Sequence, residues 1–162
     1  MHSRIFQIST EPIEKEDYIE ESTFYDTTFV GEVADYVNEN TDRNDDIEWL
    51  KCCYENVEGI IIDNGTITIT DKKKYFEKKF EKFKEQLNKL ETETTLEAFA
   101  KADRTYYDFS YTLWELKCAA EGDKFGFYVY DTQDGLYRFD DFVRYYDENV
   151  PYYIGATIDY HS

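Results

Sequence analysis

The sharpest alternation along the chain is GIIIDNGTITIT, residues 59–70, where two β-branched runs flank Asn64-Gly65. Asn and Gly accept the positive φ of a tight primed turn, so this stretch predicts a β-hairpin. Runs of similar character predict strands in SRIFQIS near the start, in FGFYVYD after residue 124, and in YYIGATIDY at the end. Helical spacing governs most of the rest. From Thr27 to Glu39, the apolar residues Val30, Val33, Ala34 and Val37 predict a helix capped by Asp26 or a nearby Thr. Beyond the turn TDRNDD, a second helix puts Ile47, Leu50, Tyr54 and Val57 on one face, and Asp45 with Glu48 suits a capping box. TTLEAFAKAD predicts a short helix, and FSYTLWELKCAAE a longer one with Phe109, Leu113, Leu116 and Ala120 inward and Gly122 as its stop. In FDDFVRYYDEN, Phe139, Phe142, Val143 and Tyr146 follow the same rule, with Pro151 closing the helix.

The order of elements favours an α+β fold, with a mainly antiparallel sheet and helices packed on one face, in a single domain over residues 1–162. The connector TEPIEKEDYIEES breaks the pattern, since Pro12 and its charge density argue against a central strand.

In DKKKYFEKKFEKFKEQLNKLE, residues 71–91, Phe76, Phe80, Phe83, Leu87 and Leu90 recur at intervals of 4, 3, 4 and 3. On a helix this makes one apolar seam, to be packed within the domain or used for self-association as a coiled coil. Lys78, Lys82 and Lys89 run along one flank and Glu77, Glu81 and Glu85 along the next. Glutamates interleaved in this way repel phosphate, so the segment is not a nucleic-acid site and no direct nucleic-acid binding is expected. Lys72, Lys73 and Lys74 sit where a helix N-terminus disfavours cations by about 0.3–1 kcal/mol each, which calls for anionic neighbours, first of all the protein's own acidic pole.

That pole is the main compositional feature. The chain has 36 acidic and 18 basic residues for a net charge of -18, and residues 11–63 hold 17 acidic against 3 basic. The candidate binding face is Glu14, Asp17, Glu20, Glu21, Glu32, Asp35, Glu39, Asp42, Asp45 and Asp46. An aromatic fraction of 19% excludes a disordered acidic tail. Eleven of the sixteen tyrosines lie from Tyr106 onward, and the pairs Tyr106-Tyr107, Tyr145-Tyr146 and Tyr152-Tyr153 cannot both face inward on regular elements, so some tyrosine is offered to the surface.

Other chemistry is sparse. The histidines are His2 and His161, each beside an end of the sequence, which gives little basis for a nucleophile pair or an imidazole metal site. No phosphate-loop pattern occurs, and Asp42, Asn44 and Asp46 imitate a calcium loop only until Ile47 replaces the required glycine. No cofactor or metal is therefore expected. Three cysteines cannot all pair, and no apolar run approaches a membrane span or a signal core, so no membrane contact and a cytoplasmic location are expected.

In charge and size the chain resembles the DNA-mimic inhibitors, such as antirestriction and some anti-CRISPR proteins, and the immunity proteins that block toxic nucleases. The resemblance is one of composition and covers no motif. It implies an acidic intracellular binding protein whose partner is a basic DNA- or RNA-binding protein. The alternative is a carboxylate-dependent hydrolase or nuclease using a divalent cation, which requires three or more acidic groups converging in a concave site.

Overall fold

A computed structural model describes residues 1–101 and 107–162, so Tyr106 lies outside the described residues. The strands are β1 (His2–Ser9), β2 (Tyr36–Asn38), β3 (Ile60–Asp63), β4 (Thr66–Ile69), β5 (Tyr128–Asp131), β6 (Gly135–Arg138) and β7 (Pro151–His161). Among the described residues these seven form one sheet in the order β3-β4-β7-β1-β5-β6, with β2 paired to the far end of β7. Every pairing is antiparallel except β1 with β5. The helices are α1 (Ser22–Tyr25), α2 (Phe29–Glu32), α3 (Arg43–Tyr54), α4 (Lys72–Glu93), α5 (Leu96–Ala100), α6 (Tyr107–Glu121) and α7 (Phe139–Tyr145). The protein is thus α+β, with helices packed on a mostly antiparallel sheet. Among the described residues no helix is long and apolar enough to cross a membrane.

The predicted hairpin forms as β3 and β4, with Asn64 at φ 49° and Gly65 at φ 72°, the double positive φ that this turn requires. Its inward residues Ile60, Ile62, Ile67 and Ile69 join Phe6, Ile8, Val129, Ile154 and the helix residues Leu50, Phe139, Phe142 and Val143 in the larger core cluster. A second cluster gathers Ile5, Tyr128, Ile158 and Tyr160 with Phe24, Phe29, Ala34 and Val37. Neighbours Ile5 and Phe6, like Tyr128 and Val129, go to different clusters, as the period of two on a strand demands.

On β7 the alternation would fail without an extra residue. Phe6 pairs with Thr157 and Ile8 with Ile154, so Gly155 and Ala156 together oppose the single residue Gln7. This bulge moves Ile154 into the first cluster and Ile158 into the second. Its backbone groups are taken up by side chains. Arg43 donates to the Gly155 and Ile154 carbonyls at 2.7 and 2.6 Å, and Gln7 Oε1 accepts from Ala156 N at 3.1 Å.

Two expectations for the N-terminal third are overturned. The helix predicted over Thr27–Glu39 is instead the short turn α2, extended at Val30 and left-handed at Gly31 (φ 104°), followed by β2. Val33, Ala34 and Val37 are still covered, but Val37 is covered as a strand residue opposite Tyr160, because the end of β7 offers an unpaired edge. In α3 the cap is Asp42, which accepts from Asn44 N and Asp45 N at 3.0 and 3.2 Å, so Asp45 lies inside the first turn and makes no capping box with Glu48.

Helices α4 and α6 pack chiefly on each other and form an arm. Its base is fixed to the body: Tyr75 is buried in the first cluster and Phe76 packs against it. Asp140, at the start of α7, accepts from Tyr75 Oη at 2.7 Å and from Lys79 Nζ at 2.9 and 2.8 Å. The Asp140 carboxylate is 4% exposed and anchors the arm. Buried between Asp140 and Tyr54, the Tyr75 phenol has its pKa pushed far above the ordinary tyrosine value, mainly by desolvation.

Candidate functional site

The connector that follows β1 is hung on one buried side chain. Gln7 donates from Nε2 to the Asp17 carbonyl at 2.9 Å and accepts the Ile19 amide on Oε1 at 3.2 Å. Within it Lys15–Asp17 form a single 3-10 turn, closed by Asp17 N donating to the Glu14 carbonyl at 3.0 Å. Glu14, Asp17 and Glu20 are exposed on this fixed backbone. Glu21 and Glu39 are brought together across the fold: each amide donates to the other residue's carboxylate, at 3.0 and 3.3 Å. A groove of about 360 Å³ runs between the connector and the segment after β2, with Glu20, Glu39, Tyr18 and Thr41 in its walls. Lys15 and Arg43 also line it, but Arg43 is committed to the β7 bulge.

Glu32 and Asp35 fall at the opposite end of β2 from Glu39. The Glu32 carbonyl accepts from Lys124 Nζ at 2.7 Å, and Asp35 Oδ2 lies 3.3 Å from His161 Nδ1. Asp42 and Asp45 are exposed at the start of α3, where the helix dipole favours them.

Asp46 does not belong to this surface. It is 5% exposed, accepts from Arg4 Nε at 2.6 Å and from Thr157 Oγ1 at 2.7 Å, and shares Arg4 with Asp159. On α3 its position points to the sheet, and Arg4, the one basic residue of β1, supplies the charge that lets it be buried.

The expected neighbours of the lysine run are also different. Lys72 N donates to Glu148 Oε1 at 2.7 Å and Lys72 Nζ to the Arg144 carbonyl at 3.0 Å, both in or just after α7 and outside the acidic pole. Lys73 and Lys74 are exposed, and among the described residues neither makes an ion pair. Along α4 the seam faces outward in part: Phe80 is 58% and Leu87 48% exposed, while Phe76, Phe83 and Leu90 are half-buried.

A concave site that the sequence reading did not single out lies at the carboxyl ends of the parallel pair β1 and β5, a position that open sheets commonly use for ligands. Its volume is about 410 Å³, and Asp131, Asp134, Asp147, Tyr137, Tyr145 and Tyr146 are among its walls. Tyr146 Oη donates to Asp131 Oδ2 at 3.3 Å, and burial, then the Asp131 charge, push the phenol pKa above its ordinary value. Carboxylates over aromatic walls suit an organic cation such as a lysine or arginine side chain. The sequence signals were Tyr145-Tyr146, where Tyr145 is exposed and Tyr146 half-buried, and DTQDG, which reads only as a turn. Among the described residues no three His, Cys, Asp or Glu side chains are placed to hold a metal ion.

No family model, curated protein or solved structure matches the chain. The functional reading therefore rests on the geometry and electrostatics of the molecule itself.

Proposed function

We propose that the protein is an acidic intracellular binding module that engages a basic surface on another protein, and that in its sharpest form it mimics nucleic acid toward a DNA- or RNA-binding protein. One observation carries the reading. Glu14, Asp17, Glu20, Glu32, Glu39, Asp42 and Asp45 are exposed, and among the described residues none of them has an ion-pair partner. The backbone beneath several of them is nevertheless fixed, by Gln7, by the Glu21–Glu39 exchange and by the Asp42 cap. Carboxylates held in place without cations of their own are ready for cations brought by a partner. Their field also speeds encounter with a basic surface and repels nucleic acid itself. The Asp131–Asp134–Asp147 cleft adds a recess of the same sign.

The test is capture of native-cell proteins on the immobilised full chain, with duplex DNA as competitor. The reading expects a basic nucleic-acid-binding protein that DNA displaces and that the exposed-residue variant E14Q/D17N/E20Q retains about tenfold less well or worse. Capture that ignores both DNA and the variant would contradict it.

A further inference from the structure

The arm combines three features that intramolecular packing leaves unexplained. First, its polar and apolar groups are partly exchanged: α4 buries Gln86, whose Oε1 has no hydrogen-bond partner among the described residues, whereas Phe80, Leu87 and Leu113 face water. Second, three of the outward apolar groups, Phe80, Leu87 and Leu113, lie on one side, apart from the exposed Tyr111 and Trp114 on the rest of α6. Lys82 Nζ bridges to Glu115 Oε1 at 2.9 Å and marks one edge of the helix pair. At about 100° per residue, Phe80 and Leu87 stand roughly 140–160° round α4 from Lys82, and Leu113 roughly 160° round α6 from Glu115. The two apolar flanks therefore share the other edge, widened by half-buried Phe76, Phe83 and Leu116. Third, α4 is charged against its own dipole, with Lys72, Lys73 and Lys74 in its first turn and Glu91 and Glu93 in its last.

From these features we infer that a second copy of this chain covers the edge, with the two arms packed antiparallel about a two-fold axis as a four-helix bundle. The 4, 3, 4, 3 spacing of Phe76, Phe80, Phe83, Leu87 and Leu90 supplies knobs for such packing over about 20 Å. Antiparallel copies set Lys73 of one arm beside Glu91 of the other, since both stand about 180° round α4 from Lys82 and so on the apolar edge, and the reversed charge becomes complementary across the axis. The whole-molecule charge selects the same surface. Residues 71–121 hold eleven basic and eleven acidic residues, while the other residues hold seven basic and twenty-five acidic, so the entire -18 lies off the arm. Two copies meeting arm to arm keep their acidic poles apart, whereas two copies meeting body to body bring like charge together. This inference does not depend on what the acidic pole binds.

The experiment is the mass of the full chain by sedimentation equilibrium and light scattering. Twice the 19.4 kDa chain mass is expected, with F80E/L87E monomeric at concentrations where the native chain is dimeric. The charges give a second check that leaves the apolar groups untouched. K73E, which changes a pair on each side of the two-fold axis, should weaken association about tenfold, and adding E91K should restore it. A native chain that stays monomeric up to its solubility limit, a dimer that survives F80E/L87E in folded form, or a charge swap that the reverse swap fails to rescue would each overturn the proposal.

Discussion

Asp42, Asp45 and Asp46 fall within five positions, and what each carboxylate touches separates them. Asp42 accepts two backbone amides as the α3 cap, Asp46 is enclosed by Arg4 and Thr157, and Asp45 is exposed. Replacement by alanine should cost about 1 kcal/mol at Asp42, about 3 kcal/mol at Asp46, which leaves Arg4 short of a partner, and within ~0.5 kcal/mol at Asp45. Urea unfolding of the three variants checks the order. A loss of partner binding by D45A with no loss of stability would mark Asp45 as a recognition residue. The sequence reading placed all three on one face because charge alone does not show burial. Arg4 was the missing clue: a single basic residue in an apolar strand needs an acid, and only the fold shows which one.

At the level of elements, the strongest local patterns survive and the non-local ones do not. Asn64-Gly65 fixes its hairpin by the dihedral preferences of two residues, and the α4 seam by a long repeat. The stretch from Val30 to Val37 carries helical spacing yet becomes a turn and an edge strand, because Gly31 interrupts it and β7 supplies a distant partner. Neither the bulge at Gly155–Ala156 nor its two side-chain clasps has a local signal. The link between hairpin and arm is equally non-local. Gly59 O accepts from Thr70 N and Asp71 N, and a Cβ on Gly59 would lie 2.1 Å from the Asp71 carbonyl and 2.7 Å from Tyr75 N. G59A should destabilise the protein by about 2–4 kcal/mol and loosen the base of α4, seen as faster amide exchange over residues 72–79.

On the scale of the molecule, burial and charge set how the protein responds to its solvent. Tyr54, Tyr75, Tyr128 and Tyr160 have phenol pKa values raised above the ordinary one, desolvation being the first cause in each. The unfolded chain releases these protons near pH 10 while the folded protein keeps them. Their contribution is therefore complete below about pH 10 and falls as pH rises beyond it. Alkaline titration should show a late, cooperative rise in tyrosinate absorbance coincident with unfolding, and independent titration of all tyrosines near pH 10 would contradict that account. The separation of a neutral arm from a body carrying -18 was visible in residue counts, but that seven of the carboxylates stand exposed without an ion-pair partner among the described residues, several of them on a fixed backbone, was not. The most direct test of their role is the salt dependence of binding between the native-cell partner and the full chain, compared with E14Q/D17N/E20Q under DNA competition. A basic partner displaced by duplex DNA, bound more weakly as salt rises and with a shallower slope for the variant, is the expected result. A partner whose affinity is unchanged by salt, by DNA and by the loss of those three charges would contradict it.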